Sequence, residues 1–319
     1  KINRFFKYVN VIESTTEGKS VYEILLDNKK LKTPLGNTLS IPYESLAYSV
    51  ASEWESQSPK IRRASMHLTH LCNTVIDKSS ETIRDEDVDN LLEYLNTDTL
   101  SYWDNDNEEL QLFQNAKWSP IIKHIEERYK LKIQINNSIM HDINYSEEET
   151  RLLKKHLISM NSWCFVGVKY LVETLKSVSI GLAASNQFIN TTEAVESSRL
   201  EQLFQEKKWG NVPWSHDIDK ADLTCRASAA LLLVYLSRNN AEMQSSSSNN
   251  IIQITSKNHA VIHHQDGHQL IVSKLDESGT ITIHDGDTST AQTIQTIYPN
   301  HYVDQQTTDQ NIYSTPSAH

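Results

Sequence analysis

The sequence lacks the glycine-rich loops with which many proteins hold nucleotides. Its 319 residues include only eight glycines, and neither GxxxxGK[ST] nor GxGxxG occurs. The HExxH motif of zinc peptidases and the GxSxG motif of serine hydrolases are missing as well. Nucleotide binding by a phosphate cradle and these two kinds of hydrolysis therefore have no support, and we expect no cofactor.

Cysteine and long apolar runs are also scarce. The three cysteines, Cys72, Cys164 and Cys225, are far apart and odd in number, which argues against a disulfide framework and favours a reducing compartment. The longest apolar runs, such as residues 229–236, are far shorter than the ~20 residues that cross a bilayer. We expect a soluble protein without stable membrane insertion. Residue 1 is Lys and no signal-like segment precedes the first predicted strand, so we expect a targeting peptide to have been removed.

Basic residues are outnumbered, 30 against 41 acidic ones, and the formal charge is −11. Nucleic-acid binders need a basic face that displaces counterions from phosphates, so no nucleic-acid partner is expected.

The order of the patterns predicts an α+β fold. Short apolar runs with turn signals fill the first forty residues as an antiparallel meander, and helical spacing follows from about Pro42. We predict a small N-terminal β-rich domain with one helix at residues 1–64 and an all-helical domain at residues 65–240. Within the helical domain, Pro120 is expected to bend or break a helix, and Ser146 with Glu149 is expected to form a capping box.

Residues 241–319 differ in composition from the rest. They contain many Gln, Thr, Ser and Asp and no Trp, Phe, Cys or Arg. Because such a segment buries little apolar area, we predict a disordered tail. A hairpin around Asp266-Gly267 is the alternative for one part of it.

The stretch Arg199 to Asp219 has the highest density of recognition-type side chains. It begins as an amphipathic helix that Gly210 ends, and two Trp, one Pro, one His and two Asp are crowded around that glycine. We predict a helix, an irregular elbow and a second helix from about Asp219. Such an arrangement presents a fixed surface to a partner.

Catalysis at the elbow has a weaker basis than recognition. His216 and Asp217 are adjacent, whereas a triad needs a base and an orienting group in a defined spatial relation and a positioned nucleophile. Capping of the second helix by Asp217 or Asp219 is the simpler explanation of these residues. His67, His70 and Cys72 could be mistaken for a metal cluster, but Cys72 points away from the two histidines on a helix, so no metal site is expected.

Five blocks of the chain, in this order, resemble the ATP-twelve family, the mitochondrial assembly chaperones of the ATP synthase catalytic head. The blocks are YEILLDNKKLKTPLGNTLSIP, ASEWESQSPKIRRASMHLTHLCNTVID, LLEYLNTDTLSY, WSPIIKHIEERYKLKI and RLEQLFQEKKWGNVPWSHDID. Together they extend over roughly residues 4 to 238. The tail after about residue 240 has no counterpart in the family.

The resemblance implies a non-enzymatic, monomeric chaperone of the mitochondrial matrix. Such a chaperone binds unassembled alpha subunit and shields its subunit interface until a beta subunit replaces it. The partner-binding residues that the resemblance implies are Glu201, Gln205, Trp209, His216, Asp217 and Asp219, beside the helix-ending Gly210. Asn211 and Pro213 stand where the family usually has acidic residues.

Two other functions remain open from the sequence. One is a hydrolase-type enzyme that uses His216 with nearby carboxylates or Cys225, which would require perturbed ionisable groups in a deep pocket at the elbow. The other is a scaffold protein that acts through its acidic tail.

Overall fold

The computed structural model describes residues 2–16, 18–78, 81–136, 143, 145–212 and 214–238, and the backbone of five strands beyond residue 250. By spatial clustering, the chain forms two compact units, Lys1–Asn240 and Ala241–His319. The boundary predicted between residues 64 and 65 lies inside the first unit and stays a prediction.

The N-terminal strands form the expected antiparallel arrangement. Strand β2 (Val9–Thr16) pairs with β3 (Lys19–Leu26) along its full length, from Val9 opposite Leu26 to Thr16 opposite Lys19. Strands β4 (Lys29–Lys30) and β5 (Ser40–Ile41) both pair with β3, and β1 (Ile2–Asn3) pairs separately with β6 (Lys60–Ile61). Helix α1 (Glu44–Glu55) follows β5. The α+β class predicted from the sequence is confirmed.

The chain from residue 67 to residue 236 is mainly helical. Its helices are α2 (His67–Asp77), α3 (Glu81–Glu93), α4 (Glu108–Tyr129), α5 (Glu147–Ser159), α6 (Ser162–Leu175), α7 (Val178–Ser185), α8 (Thr191–Ser198), α9 (Leu200–Trp209) and α10 (His216–Leu236). The predicted capping box at the start of α5 is confirmed, because Ser146 and Glu149 bond to each other's backbone N–H groups. No helix in the described residues is long and apolar enough to cross a membrane.

Helix α4 continues through Pro120. The break that was expected there as an alternative to a bend does not occur. Trp118 is fully buried, and its Nε1–H donates to the Ser197 carbonyl oxygen at 3.0 Å. Ile121 and Ile125 are buried on the next turns. Burial of these side chains outweighs the loss of one backbone hydrogen bond at the proline.

Two hydrophobic clusters form the interior of the first unit, and α10 contributes to both. Ala230 and Val234 belong to the larger cluster, which lies among the helices. Leu233 belongs to the smaller cluster, which lies between the N-terminal sheet, α1 and α2. Because successive residues of one helix serve both clusters, α10 ties the sheet to the helices.

Gly167 permits the close approach of α6 to α10. A Cβ atom at this position would lie 2.6 Å from Val234 Cγ2 and 3.0 Å from the Ala230 carbonyl oxygen. Both distances are shorter than ordinary van der Waals contact, so a larger residue would require Val234 or the backbone of α10 to shift.

The second unit contains a five-stranded antiparallel sheet in sequential order. Its strands are β7 (Ile251–Ser256), β8 (His259–His263), β9 (Gln269–Ser273), β10 (Thr280–Asp285) and β11 (Ala291–Gln295). The hairpin named as the alternative to disorder is present in the backbone, because β8 pairs with β9 from His259 opposite Ser273 to His263 opposite Gln269. The turn at Asp266-Gly267 lies outside the described residues. The same is true of the other residues of the tail between and after the five strands, for which disorder was predicted.

We predict that Gly167→Ala lowers the free energy of unfolding by about 1–2 kcal/mol. Overpacking costs roughly 1–3 kcal/mol, and the better helix propensity of alanine offsets up to about 1 kcal/mol of it. Urea unfolding followed by circular dichroism measures the change. Ser228→Ala, on the exposed face of α10, is the control and should stay within about 0.5 kcal/mol. Equal stability of the two variants would contradict the close packing of α6 and α10.

Candidate functional site

The elbow between α9 and α10 consists of residues 210–215 and is shorter than predicted. Helix α10 begins at His216 rather than near Asp219. His216 and Asp217 therefore lie in the first turn of α10, where their positions are set by the helix. Ser215, a residue type that often caps helices, directly precedes α10, although its side chain makes no capping hydrogen bond.

A buried guanidinium group fixes the geometry of the elbow. Arg199 immediately precedes α9, and its Nη2 lies 3.2 Å from Glu206 Oε1 and 3.4 Å from the His216 carbonyl oxygen. The side chains of Arg199 and Glu206 are only 6% and 16% exposed. The His216 ring lies against the same carboxylate, with Nδ1 3.3 Å from Glu206 Oε1. One arginine thus joins the start of α9, its second turn and the first residue of α10.

The backbone of the elbow adopts unusual conformations at two residues. Gly210 has φ +89°, which side-chain-bearing residues rarely adopt. Trp214 has φ +68°, a strained value for a bulky residue. Asn211 Nδ2 donates to Asp217 Oδ1 at 2.8 Å and so ties the elbow to α10. No side chain caps α10, so the interpretation of Asp217 or Asp219 as a cap is wrong.

Large apolar side chains are exposed on and beside the elbow. Trp209 is 72% exposed and Trp214 is 80% exposed, and Val212 and Ile218 are also more than half exposed. Exposed apolar groups that are close together and held by a rigid frame are typical of protein-binding surfaces. We call Trp209, Val212, Trp214 and Ile218 the elbow patch.

Glu201 lies at a separate feature, an open cavity of about 340 Å³ lined by Thr97, Thr99, Tyr102 and Glu201. Its Oε1 accepts a hydrogen bond from Gln114 Nε2 at 3.1 Å. Partial burial and then repulsion by Asp104 raise the pKa of Glu201, and the Gln114 hydrogen bond opposes the shift. The cavity lies between α9 and the segment of residues 96–102 (NTDTLSY).

Asp98, at the centre of that segment, is a buried structural carboxylate. Its Oδ2 accepts from the Ser179 N–H at 2.9 Å, and its Oδ1 accepts from the Leu100 N–H at 3.0 Å and from the Ser177 hydroxyl at 2.5 Å. Burial raises its pKa against these hydrogen bonds. The carboxylate thereby anchors the segment to the start of α7.

The six residues that the resemblance assigned to partner binding are divided between these features. Trp209, His216 and Asp217 lie at the elbow, and Glu201 lines the cavity. Gln205 and Asp219 are exposed on α9 and on the first turn of α10. The sequence analysis did not single out Glu206, whose carboxylate contacts both Arg199 and His216. The seven-residue spacing between Arg199 and Glu206, about two helical turns, is the feature of the sequence that could have indicated their ion pair.

The arrangement offers little to a hydrolase. Asp217 contacts Asn211 instead of orienting His216, and the nearest carboxylate to the imidazole belongs to Glu206. Burial and repulsion by Asp222 raise the pKa of Cys225, so its thiol is less ionised than usual. Among the described residues, no group of three His, Cys, Asp or Glu side chains could hold a metal ion.

Comparison with known proteins finds similarity to one family. The family model described as "ATP12 chaperone protein" matches residues 3–126. The chain is 27% identical over 277 residues to the mitochondrial protein ATP12 of Saccharomyces cerevisiae, and the match covers 73% of this chain and 83% of the yeast protein. This chain is similar to the ATP12 chaperone family. The mitochondrial atp12 protein of Schizosaccharomyces pombe is also 27% identical, over 224 residues, with 66% of this chain and 76% of that protein covered.

A solved ATP12 structure has the same fold. The crystal structure of Atp12 from Paracoccus denitrificans superposes with a TM-score of 0.66 at 25% sequence identity, and the match covers 74% of this chain and 99% of that one. The matching family model is described as a chaperone, and both fungal relatives are described as mitochondrial.

We predict that Arg199→Met lowers the free energy of unfolding by about 3 kcal/mol. The substitution keeps the apolar stem but leaves the Glu206 carboxylate buried without its cation, and breaking a buried pair from one side costs roughly 3–5 kcal/mol. Chemical denaturation measures the change. The control is Arg151→Met, whose pair with Glu148 is more than 60% exposed on both sides and should contribute about 1 kcal/mol or less. Similar losses in the two variants would show that Arg199 is not a buried clamp.

Proposed function

We propose that the chain binds the unassembled alpha subunit of the ATP synthase catalytic head and covers its subunit interface until a beta subunit replaces it. The proposal places this activity in the mitochondrial matrix and gives the protein no enzymatic role. It describes the chaperone as a monomer that uses Glu201, Gln205, Trp209, His216, Asp217 and Asp219 for contact.

The exposure of the elbow patch is the observation that carries the proposal. Two tryptophans are more than 70% exposed, although tryptophan is among the side chains that gain most from burial. The backbone holds Trp214 at a strained positive φ. Burial of both tryptophans by a partner would offset the cost of this strain.

The chemistry of the proposed client fits such a surface. A subunit that will later be buried in an assembly exposes an apolar interface beforehand, and exposed apolar surface leads to aggregation. Aromatic side chains on a rigid support can cover that interface with little loss of conformational entropy. Replacement by the beta subunit then requires that the beta subunit bind the alpha subunit more tightly than the chaperone does.

Copurification and aggregation assays test the proposal directly. The purified chain should retain alpha subunit on an affinity column and reduce light scattering by alpha subunit diluted from denaturant. Added beta subunit should displace the chaperone. Failure to retain alpha subunit, or undiminished scattering, would count against the proposed client.

Trp209→Ala is predicted to weaken alpha-subunit binding by about 30-fold or more while the thermal midpoint stays unchanged. Truncation of a central aromatic contact costs about 2 kcal/mol or more, whereas an exposed side chain contributes little to folding. Titration calorimetry and thermal unfolding measure the two quantities. Leu35→Ala is the matched control, because Leu35 is 73% exposed but lies in the turn before β5. A lowered midpoint for Trp209→Ala would indicate a packing role instead.

Removal of residues 241–319 is predicted to leave alpha-subunit binding unchanged within about twofold. Residues 1–240 form a compact unit of their own, and both hydrophobic clusters and the elbow patch lie within it. The affinities of the shortened and full chains are compared by titration calorimetry. A loss of binding with an unchanged thermal midpoint would favour a scaffold that acts through residues 241–319.

A further inference from the structure

Strand β2 forms an open edge of the N-terminal sheet. It is eight residues long and pairs with β3 along its full length, and no other described strand pairs with it. An unpaired edge carries a row of free N–H and C=O groups, which proteins usually protect with a bulge, a proline or a lysine. Residues 9–16 (VNVIESTT) contain no proline or lysine, and their register with β3 is uninterrupted. The edge is therefore open to an added strand.

The register identifies the backbone groups that point away from β3. The Asp27 N–H donates to the Tyr8 carbonyl oxygen at 2.8 Å, so the backbone of Tyr8 faces β3. The Ile24 carbonyl oxygen, opposite Val11, accepts from the Leu31 N–H on the far side of β3. Because this direction alternates along an antiparallel pair, the residues that face away from β3 are 9, 11, 13 and 15. They present four N–H and four C=O groups, and no hydrogen bond within the described residues engages these groups.

The edge is held in place before any partner binds. Val9 and Val11 pack against the smaller hydrophobic cluster. Asp27 Oδ1 accepts from the N–H groups of Tyr8 and Lys7 at 3.0 and 2.9 Å. These bonds fix the start of the strand and lower the pKa of the Asp27 carboxylate. Because the edge is preformed, most of the conformational entropy lost on strand addition is lost by the partner segment.

The side chains on and beside β2 define the segment that fits the edge. Phe5 and Tyr8, just before the strand, are each 68% exposed, and Ile12 is 37% exposed. Glu13 is the only charged side chain of the strand, and in the described residues its carboxylate contacts the Ser20 hydroxyl and no cation. A Lys or Arg opposite Glu13 would form a favourable cross-strand pair. The edge therefore fits an extended segment with apolar residues and a basic one.

A second copy of β2 fits this edge poorly. The antiparallel register that satisfies all the outward groups of two such strands places Val9 opposite Thr15 and Val11 opposite Glu13. The two Glu13 carboxylates then lie on the same face of neighbouring strands, where like charges repel. Each of them also lies opposite an apolar valine, which offers it no hydrogen bond. A heterologous segment with a basic residue avoids both costs.

We infer that β2 binds an extended segment of the client as an additional strand of the sheet. The inference rests on the proposed function, because the segment belongs to the alpha subunit. An unassembled subunit leaves segments unpaired that its neighbours later cover, and such segments aggregate through free edges. Main-chain hydrogen bonds to β2 would supply affinity, and a basic residue opposite Glu13 would set the register. This contact belongs to the sheet and is separate from the elbow patch between α9 and α10.

Hydrogen exchange at single residues tests the inference in the full chain. The ¹⁵N-labelled chain is transferred to deuterated water with and without alpha subunit, and the backbone amides of β2 are followed by NMR. Alpha subunit should slow the exchange of the outward amides, those of residues 9, 11, 13 and 15, by about tenfold or more. The amides of residues 10, 12, 14 and 16 are bonded to β3 in both samples and are the internal control.

The outcomes of the exchange experiment are distinct. If alpha subunit binds and the outward amides stay unprotected, the inference fails while the proposed function stands. If alpha subunit does not bind, the proposed client fails, and so does the assignment of the added strand to it. Protection of the outward amides without alpha subunit would also overturn the inference. It would show that a second copy covers the edge if it depends on chain concentration, and that the chain itself does so if it does not.

A proline substitution tests the main-chain contact by affinity. Thr15→Pro removes one outward N–H and none of the bonds to β3, so the thermal midpoint should change little. It should weaken alpha-subunit binding about tenfold, as expected for one lost hydrogen bond. Thr15→Val keeps the N–H and the shape of the side chain and should bind within about twofold. Equal affinities of the two variants would overturn the inference.

A charge reversal that leaves the backbone unchanged covers the case in which Thr15→Pro disturbs the fold. Glu13→Lys should weaken alpha-subunit binding about fivefold, because it places a cation opposite the basic residue of the client. Glu86→Lys makes the same change of charge at an exposed position of α3 and should alter the affinity less than about twofold. Equal effects of the two reversals would show a general charge effect and would overturn the pairing at Glu13.

Discussion

The close approach of α6 and α10 at Gly167 is the constraint on which the rest of the first unit depends. Helix α10 serves the larger cluster with Ala230 and Val234 and the smaller cluster with Leu233, so its position must satisfy both at once. Only glycine at position 167 leaves space for the Ala230 backbone and the Val234 side chain. Since the elbow precedes α10 directly, the position of the elbow patch follows from this packing.

The sequence predicts the features that local chemistry determines. The capping box of Ser146 and Glu149 and the end of α9 at Gly210 involve residues within one turn of each other, and both are confirmed. The pairing of β2 with β3 is predicted for the same reason, because a short turn and apolar runs on both sides of it determine a hairpin. Such signals need no knowledge of the rest of the fold.

Features that depend on distant residues could not be predicted in this way. The contact between Gln114 and Glu201 joins residues 87 positions apart, so no spacing rule reveals it. Arg199 and Glu206 resemble the solvent face of an amphipathic helix until the fold buries them together. Pro120 is a helix-breaking signal that the burial of Trp118 and its neighbours overrides. In each case tertiary burial changes the meaning of a charged or helix-breaking residue.

A protein that exposes two tryptophans can bind copies of itself, and the charged residues around the elbow oppose such self-association. Lys207, Lys208, Asp217 and Asp219 are exposed and close in sequence to the elbow patch, and charged groups beside an apolar patch oppose its burial against a second copy. Selectivity in such a surface comes from combining apolar contacts with charges that only the correct partner can complement.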